Sequence, residues 1–284
     1  DLSGADLSSA DLTGARLLNA NLRGASLFRA RLHGAHLLGA CLDGADLTEV
    51  SGTGVILGRA SLSDAVLFNA SLPESTLTDA NLADADLRSV DLTGARLRGS
   101  VLRGAEVRSA TLDDADLSGA VVDGADFGGS SLRRAHLRNV EGFSAATWVG
   151  VDISDMDLTS AYTLRRFVMD ENYLFEFRTS NKLNGFLYRL WKLTSDCGRS
   201  LTRWAVLTLV MAAVFGLLYT QVHVDYGDYE SSLSPFYFSV VTLTTLGYGD
   251  VLPASLAAQI VVLAEVLTGY LMLGGLLSIF ATKM

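Results

Sequence analysis

The sequence predicts a chain in two unlike parts: a stacked solenoid over residues 1–160 and an all-α membrane domain over residues 201–284. A helical connector over residues 161–200 joins them. Three observations carry this reading. The first part repeats with a strict period of five, which is neither the 3.6 of a helix nor the 2 of a strand. The last part holds two apolar stretches, 201–221 and 254–281, each long enough to cross a bilayer. Between them stands Thr245-Leu246-Gly247-Tyr248-Gly249-Asp250. A bilayer tolerates irregular backbone only where protein buries it or water lines it, so two glycines flanking a tyrosine there point to backbone put to use.

Residues 1–140 divide into 28 pentads of the form x-Leu-x-x-Ala. Leucine holds the second place in 24 of the 28, with Gly52, Val107, Val122 and Phe127 as exceptions. Alanine holds the fifth place in 21, and valine or serine fills the others. A chain that turns a corner every five residues and stacks coil on coil satisfies this pattern, with leucine and alanine sharing a narrow core. The register slips by one residue after Val140 and resumes as Trp148, Ile153 and Leu158.

In detail the repeats resemble the pentapeptide-repeat family, whose motif is Ala-(Asp/Asn)-Leu-x-x. Asp6-Leu7, Asp11-Leu12, Asn21-Leu22, Asn81-Leu82, Asp91-Leu92 and Asp116-Leu117 carry the resemblance, each preceded by alanine or valine. It implies a right-handed quadrilateral β-helix, with four pentads to each coil. Eight such coils at roughly 4.8 Å make a rod about 38 Å long.

Charge is divided unevenly. Residues 1–160 carry 22 acidic and 13 basic side chains, so the whole net charge of −9 lies there. Residues 161–284 carry 9 of each. An acidic solenoid is a poor match for nucleic-acid phosphates, and no nucleic-acid partner is expected. Some members of the resembled family imitate DNA and bind topoisomerases, a role this charge permits. The plainer reading is a spacer or docking rod for an unknown cytoplasmic ligand or protein. Nothing on the rod suggests an enzyme. Gly52-Thr53-Gly54 with Gly58 misses the dinucleotide fingerprint and its strand-turn-helix context. His33 and His36 fall on neighbouring sides of a corner and read as surface residues. Cys41 and Cys197 lie far apart, as ordinary thiols do. Because the chain opens on Asp1 in mid-pattern, its native N-terminus is read as lying upstream.

The connector loses the pentads and gains aromatics. Leu164 to about Arg178 reads as a helix capping the open end of the solenoid, which otherwise exposes strand edges. Asn184 to Lys192 reads as a second helix, with Phe186, Leu187, Leu190 and Trp191 on one side and Arg189 and Lys192 on the other. It suits either the membrane interface or a linker packed on its own protein.

The first span, 21 residues long, covers about 31 Å. Arg189, Lys192, Arg199, Arg203 and Lys283 flank its start and the end of the second span, while Asp225, Asp228 and Glu230 occupy the loop between. The positive-inside bias then places the solenoid, the connector and the C-terminus in the cytoplasm, with the spans in the plasma (inner) membrane. Ser234-Pro235 predicts the start of a short pore helix over 235–244, the serine capping and the proline spending no amide hydrogen. Its carbonyl end would aim partial negative charge at the membrane centre.

Span, short helix, Thr-x-Gly-Tyr-Gly and span together resemble the two-transmembrane potassium channels. That resemblance implies a filter over 245–249. The carbonyls of Thr245, Leu246, Gly247 and Tyr248, with the Thr245 hydroxyl, form stacked K+ sites, and Thr244 and Asp250 support them. It also implies a C4 homotetramer, K+ as permeant ion and no other cofactor. Leu246 stands where the commoner filter has valine. Val241 stands where some bacterial channels carry a glutamate, so carboxylate-coupled inactivation is not carried over. Gly269, 21 residues after Tyr248, matches the gating hinge, or else it serves close helix packing, as do Gly274 and Gly275. Glu265, the acid within the spans, either hydrogen-bonds behind the filter to Thr242 or Thr244 or faces the ion cavity. Arg189, Lys192, Arg199 and Arg203 are candidate contacts for anionic lipid. No helix carries arginine at every third residue, and no nucleotide-binding motif occurs. The competing function is a membrane-anchored scaffold that binds a cytoplasmic partner.

Overall fold

The computed structural model describes residues 1–155, 161–227, 230–244, 246–247, 249 and 251–283, without the side chains of 278 and 281–283. Thr245, Tyr248, Asp250 and Leu158 therefore lie outside the described residues, and so does the lysine side chain at 283. The chain divides into two compact units, Asp1–Glu176 and Phe177–Met284.

Each pentad from residue 1 to residue 140 makes the same turn. In most of them the fifth-place amide bonds back to the second-place carbonyl, as Ala5 N does to Leu2 O at 3.0 Å. This closes a β-turn whose third residue must adopt a left-handed conformation. All 28 fourth places, from Gly4 to Asn139, have φ between 51° and 71°. Glycine, asparagine and aspartate suit that region, whereas Arg29, Glu49, Arg59, Glu74 and Arg134 occupy it under strain.

Four such turns complete one coil. Parallel bridges link first-place residues one coil apart, from Asp6↔Ser26 through Val121↔Glu141. Each coil bonds to both neighbours: Leu27 N donates to Asp46 O at 2.7 Å, and Ser26 N to Ala5 O at 2.9 Å. Second-place leucines and fifth-place alanines point inward and are almost wholly buried from Leu22 onward, so the β-helix has one continuous core. At three fifth places that core holds a serine. Ser100 Oγ donates to Leu97 O at 2.8 Å and Ser130 Oγ to Val107 O at 2.5 Å. Ser75 Oγ finds no partner among the described residues.

The register slip falls after Val140, as its sequence position suggested. Glu141 still pairs with Val121, four pentads back, but Thr147 pairs with Asp126, one position further back than the period allows. The extra residue sits within 142–146. There Trp148 stacks on Phe127, with ring centroids 4.5 Å apart, and its indole N–H donates to Phe143 O at 2.8 Å.

Helix α1 (Tyr162–Ser180) begins at the end of the solenoid. Leu164 and Val168 enter the core, and Phe167 packs edge-on against Phe143. Asn172 Oδ1 accepts from Gly150 N at 2.7 Å, occupying an edge amide that no further coil covers. These contacts make α1 a cap, and α1 is longer at both ends than the pattern of Leu164 to Arg178 suggested.

The second unit contains α2 (Lys182–Ser195), α3 (Leu201–Tyr219), β1 (Val224–Asp225), α4 (Ser234–Leu243), β2 (Leu252–Pro253) and α5 (Leu256–Lys283). β1 and β2 pair antiparallel, joining the two ends of the segment between the spans. α3 ends two residues before the expected 221, and α5 begins two after 254. Asn181 caps α2, its Oδ1 accepting from Asn184 N at 2.8 Å. Ser200 caps α3 in the same way, accepting from Arg203 N at 3.2 Å.

Candidate ion-conduction site

The short helix α4 lies between the two long apolar helices and packs on both. Its start corrects the expected cap. Leu233 is the N-cap residue and makes no side-chain bond, and Ser234 is already helical. Ser234 Oγ turns back to accept from Ser231 N at 2.8 Å. Proline stands in the first turn, where its missing amide hydrogen costs nothing. Phe238 sits in a cluster with Phe215, Tyr219, Val224 and Ala258, which ties α4 to both spans.

α4 ends at Leu243, and the chain beyond it turns at once. Thr244 Oγ1 donates to Val240 O at 2.7 Å, and Leu246 N donates to Val241 O at 3.0 Å. The Thr244 hydroxyl thus closes the helix C-terminus. Gly247 and Gly249 have φ of 47° and 78°, and a Cβ on either would meet nothing within 4 Å. Conformation, not crowding, calls for glycine at both. Leu246, between the helix and these glycines, is 62% exposed in the single chain. Val241 is buried.

Three helical glycines let the helices approach closely. A Cβ on Gly216 would enter the Phe236 ring, and one on Gly275 the Trp204 indole. One on Gly269 would collide with the backbone of Leu243. Gly274 has open space around it. Gly216, Gly269 and Gly275 thus each permit an approach that a side chain would block, and α5 runs unbroken through Gly269.

Glu265 is fully buried. Neither Thr242 nor Thr244 holds it, contrary to the expected partners. Tyr219 Oη donates to Glu265 Oε2 at 2.5 Å, and Ser239 Oγ meets Glu265 Oε1. Ser239 Oγ also lies 2.8 Å from the Ala212 carbonyl oxygen. The carboxyl thus lies among α3, α4 and α5, where Ser239, in mid-helix, offers a hydroxyl and Thr244 has already spent its own. Tyr219 and Ser239 escaped sequence reasoning. Their signal is weak: two hydroxyls inside apolar segments otherwise rich in leucine and valine.

The basic residues around the start of α3 are spread over α2, the turn after it and the first turn of α3 itself. Arg203 Nη1 lies 3.8 Å from Asp196 and 3.4 Å from the Lys192 carbonyl oxygen, so it is partly engaged within the chain. On α2, Phe186 and Leu190 remain largely exposed.

Two long apolar helices flanking a short one, with left-handed glycines in the segment that follows it, are the architecture of a membrane domain. Comparison with known proteins places it further. Residues 202–284 match the family model described as "Ion channel", and eight copies of the "Pentapeptide repeats" model match between residues 1 and 139. The potassium voltage-gated channel protein Shal of Drosophila melanogaster is 32% identical over 116 residues, 40% of this chain and 20% of that protein. The voltage-gated potassium channel Kch of Escherichia coli is 32% identical over 77 residues, 27% of this chain and 16% of that protein. The match thus spans a fifth or less of either relative. Among solved structures, QnrB1, a plasmid-mediated fluoroquinolone resistance protein, is 19% identical with a TM-score of 0.45, covering 58% of this chain and 84% of that one. HetL, a pentapeptide repeat protein from the cyanobacterium Nostoc, is 33% identical with a TM-score of 0.22, covering 55% and 73%. The chain carries pentapeptide repeats between residues 1 and 139 and, over 202–284, an ion-channel domain that is similar to parts of potassium channels.

Proposed function

We propose that four copies of this chain assemble around one axis as a potassium-selective pore whose opening is biased by the β-helix. The observation that carries this reading is the hand-over from α4 to the left-handed glycines Gly247 and Gly249, between two spanning helices. Such a backbone can turn carbonyl oxygens toward a shared axis, where they replace the hydration shell of K+. One chain supplies a quarter of that ring, and fourfold closure supplies the rest.

In this reading the carbonyls of Thr245, Leu246, Gly247 and Tyr248 bind the permeant ion, with Asp250 supporting them. The β-helix and the C-terminus lie in the cytoplasm, where a ligand or protein on the β-helix couples to the pore. Bending of α5 at Gly269 opens it and breaks the contact with Leu243. Anionic lipid on Arg189, Lys192, Arg199 and Arg203 contributes about 1 kcal/mol per charge near the surface. Neutralising all four should then change open probability, and an unchanged value would remove lipid from the account.

The test is the full chain reconstituted in planar bilayers under a K+ gradient. Reversal potentials should follow K+ when Na+ replaces it on one side, and Gly247→Ala should abolish selectivity or conduction. Currents indifferent to the exchange, or a stable assembly that never conducts, would favour a membrane-anchored scaffold instead.

A further inference from the structure

The contacts around Glu265 outnumber the protons that an ionised carboxylate leaves available. Four side-chain and backbone oxygen sites take part: Tyr219 Oη, the Glu265 carboxyl, Ser239 Oγ and the Ala212 carbonyl. They form three contacts. A tyrosine and a serine hydroxyl bring two protons, and the Ala212 carbonyl brings none. The one Ser239 proton can serve both Ala212 O and Glu265 Oε1 only as a three-centre bond split between them. With an ionised carboxylate, these two close oxygen pairs would have to share that single hydrogen.

One added proton removes the shortfall. We infer that Glu265 is a neutral carboxylic acid that donates from Oε1 to Ser239 Oγ while accepting from Tyr219 at Oε2. Ser239 is then free to donate to Ala212 O, and all three contacts carry one proton each. The surroundings agree. Glu265 is 0% exposed, and the groups facing it are Tyr219 from α3 and Ser239 from α4. The basic residues of α3 and α5 are Arg203 and the residue at 283, near the helix ends. Sixteen or more residues of helix separate them from Tyr219 and Glu265, a distance of about 24 Å or more. Among the described residues no ion pair to Glu265 offsets a buried carboxylate, and an unpaired charge in such a place is costly.

The neutral acid leaves the Ser239 proton wholly to Ala212, where an ionised carboxylate would draw on it too. It links α3, α4 and α5 through a chain of directed bonds, from α3 through Tyr219 to α5, then through Ser239 on α4 back to Ala212 on α3. Glu265 is thereby a positioning residue for α4, the helix that hands over to the conducting backbone. That role, unlike the protonation state, rests on the pore reading proposed above.

The test is infrared difference spectroscopy on the purified full chain in membranes, comparing wild type with Glu265→Gln. At pH about 7 the exposed carboxyls are ionised, so a protonated-carboxyl stretching band isolates a buried acid. The band should be present in wild type, absent in Glu265→Gln, and shifted to higher frequency in Ser239→Ala, which removes the acceptor. No protonated band, or a band indifferent to Ser239→Ala, would overturn the inference. Glutamine mimics the neutral acid, accepting from Tyr219 and donating to Ser239. Reversal potentials and open probability should therefore stay within about twofold, whereas Glu265→Leu should lower K+/Na+ selectivity about tenfold. A glutamine variant as damaged as the leucine variant would refute the positioning role even with the band in place. The spectrum needs no current, so it reports the protonation state whether or not the chain conducts.

Discussion

Gly269 of α5 lies directly against the backbone of Leu243, the last residue of α4, closer than any side chain at 269 would allow. The contact fixes the end of the short helix to the middle of a spanning helix. Because the obstacle is backbone carbonyl and not the tip of a flexible side chain, it cannot swing aside.

Gly269→Ala should therefore destabilise the membrane domain by about 1–3 kcal/mol, the usual cost of overpacking. Gly274→Ala is the matched control, since nothing lies within 4 Å of its added methyl. There the better helix propensity of alanine should leave stability equal or improved by up to about 1 kcal/mol. Thermal unfolding of the two purified variants distinguishes them, and equal melting temperatures would remove the contact as a constraint.

Trp204 and Gly275 form a second lock. The indole occupies the space that a side chain at 275 would need, and Trp204 Nε1 donates to Met272 O at 3.0 Å. Trp204→Phe should cost about 1 kcal/mol through the lost bond. Trp204→Ala should cost about 3–5 kcal/mol through the cavity as well. Denaturation midpoints in mild detergent give the order, and a phenylalanine variant as damaged as the alanine one would show that the ring is misplaced.

The β-helix was legible because its period is written in large, unambiguous residues: leucine at the second place and alanine at the fifth. The left-handed fourth place was not, since Arg59 or Glu74 there look like ordinary surface residues and the strain resides in φ. The pore class was legible in Gly247 and Gly249 and in the two spans around them. The partners of Glu265 were not. Tyr219 and Ser239 reach it from helices 46 and 26 residues away, and nothing in the sequence states which faces meet. Ser234 misled for a related reason. Serine before proline signals a cap, but Ser231 offered its amide to the same hydroxyl and the helix began one residue earlier than a cap requires.

Ser75 offers a stabilising change. It is fully buried at a fifth place, and its hydroxyl has no partner among the described residues. Ser75→Ala restores the residue that fills 21 of the 28 fifth places. It should stabilise the β-helix by about 1 kcal/mol, because a buried hydroxyl without a bond carries its desolvation cost uncompensated. Ser100→Ala should show no such gain, since Ser100 Oγ already donates to Leu97 O. Hydrogen exchange of the central coils in the full chain reports both, and slower exchange in Ser100→Ala than in Ser75→Ala would contradict the assignment.

The last described coil should hold an acid-sensitive contact. Asp152 Oδ1 accepts from Ser154 N at 2.9 Å, and Oδ2 accepts from Arg133 Nε at 2.6 Å. The bonds from Ser154, followed by the Arg133 guanidinium, lower the Asp152 pKa from 3.8 to about 2. A carboxyl whose folded pKa lies below its unfolded one binds fewer protons when folded. Its stabilisation is therefore complete above the unfolded value and fades as the pH falls through the folded one. Asp152→Asn keeps the turn bond from Ser154 and removes the charge. At neutral pH this variant should melt below wild type, with the gap constant down to about pH 4 and closing toward about pH 2. The side chains of Asp152 and Arg133 are 37% and 52% exposed, so solvent screening keeps the gap small and added salt should narrow it further. Melting curves of both proteins between pH 7 and 2 test this, and a gap undiminished at pH 2 would place the stabilisation elsewhere than in the ionised carboxylate.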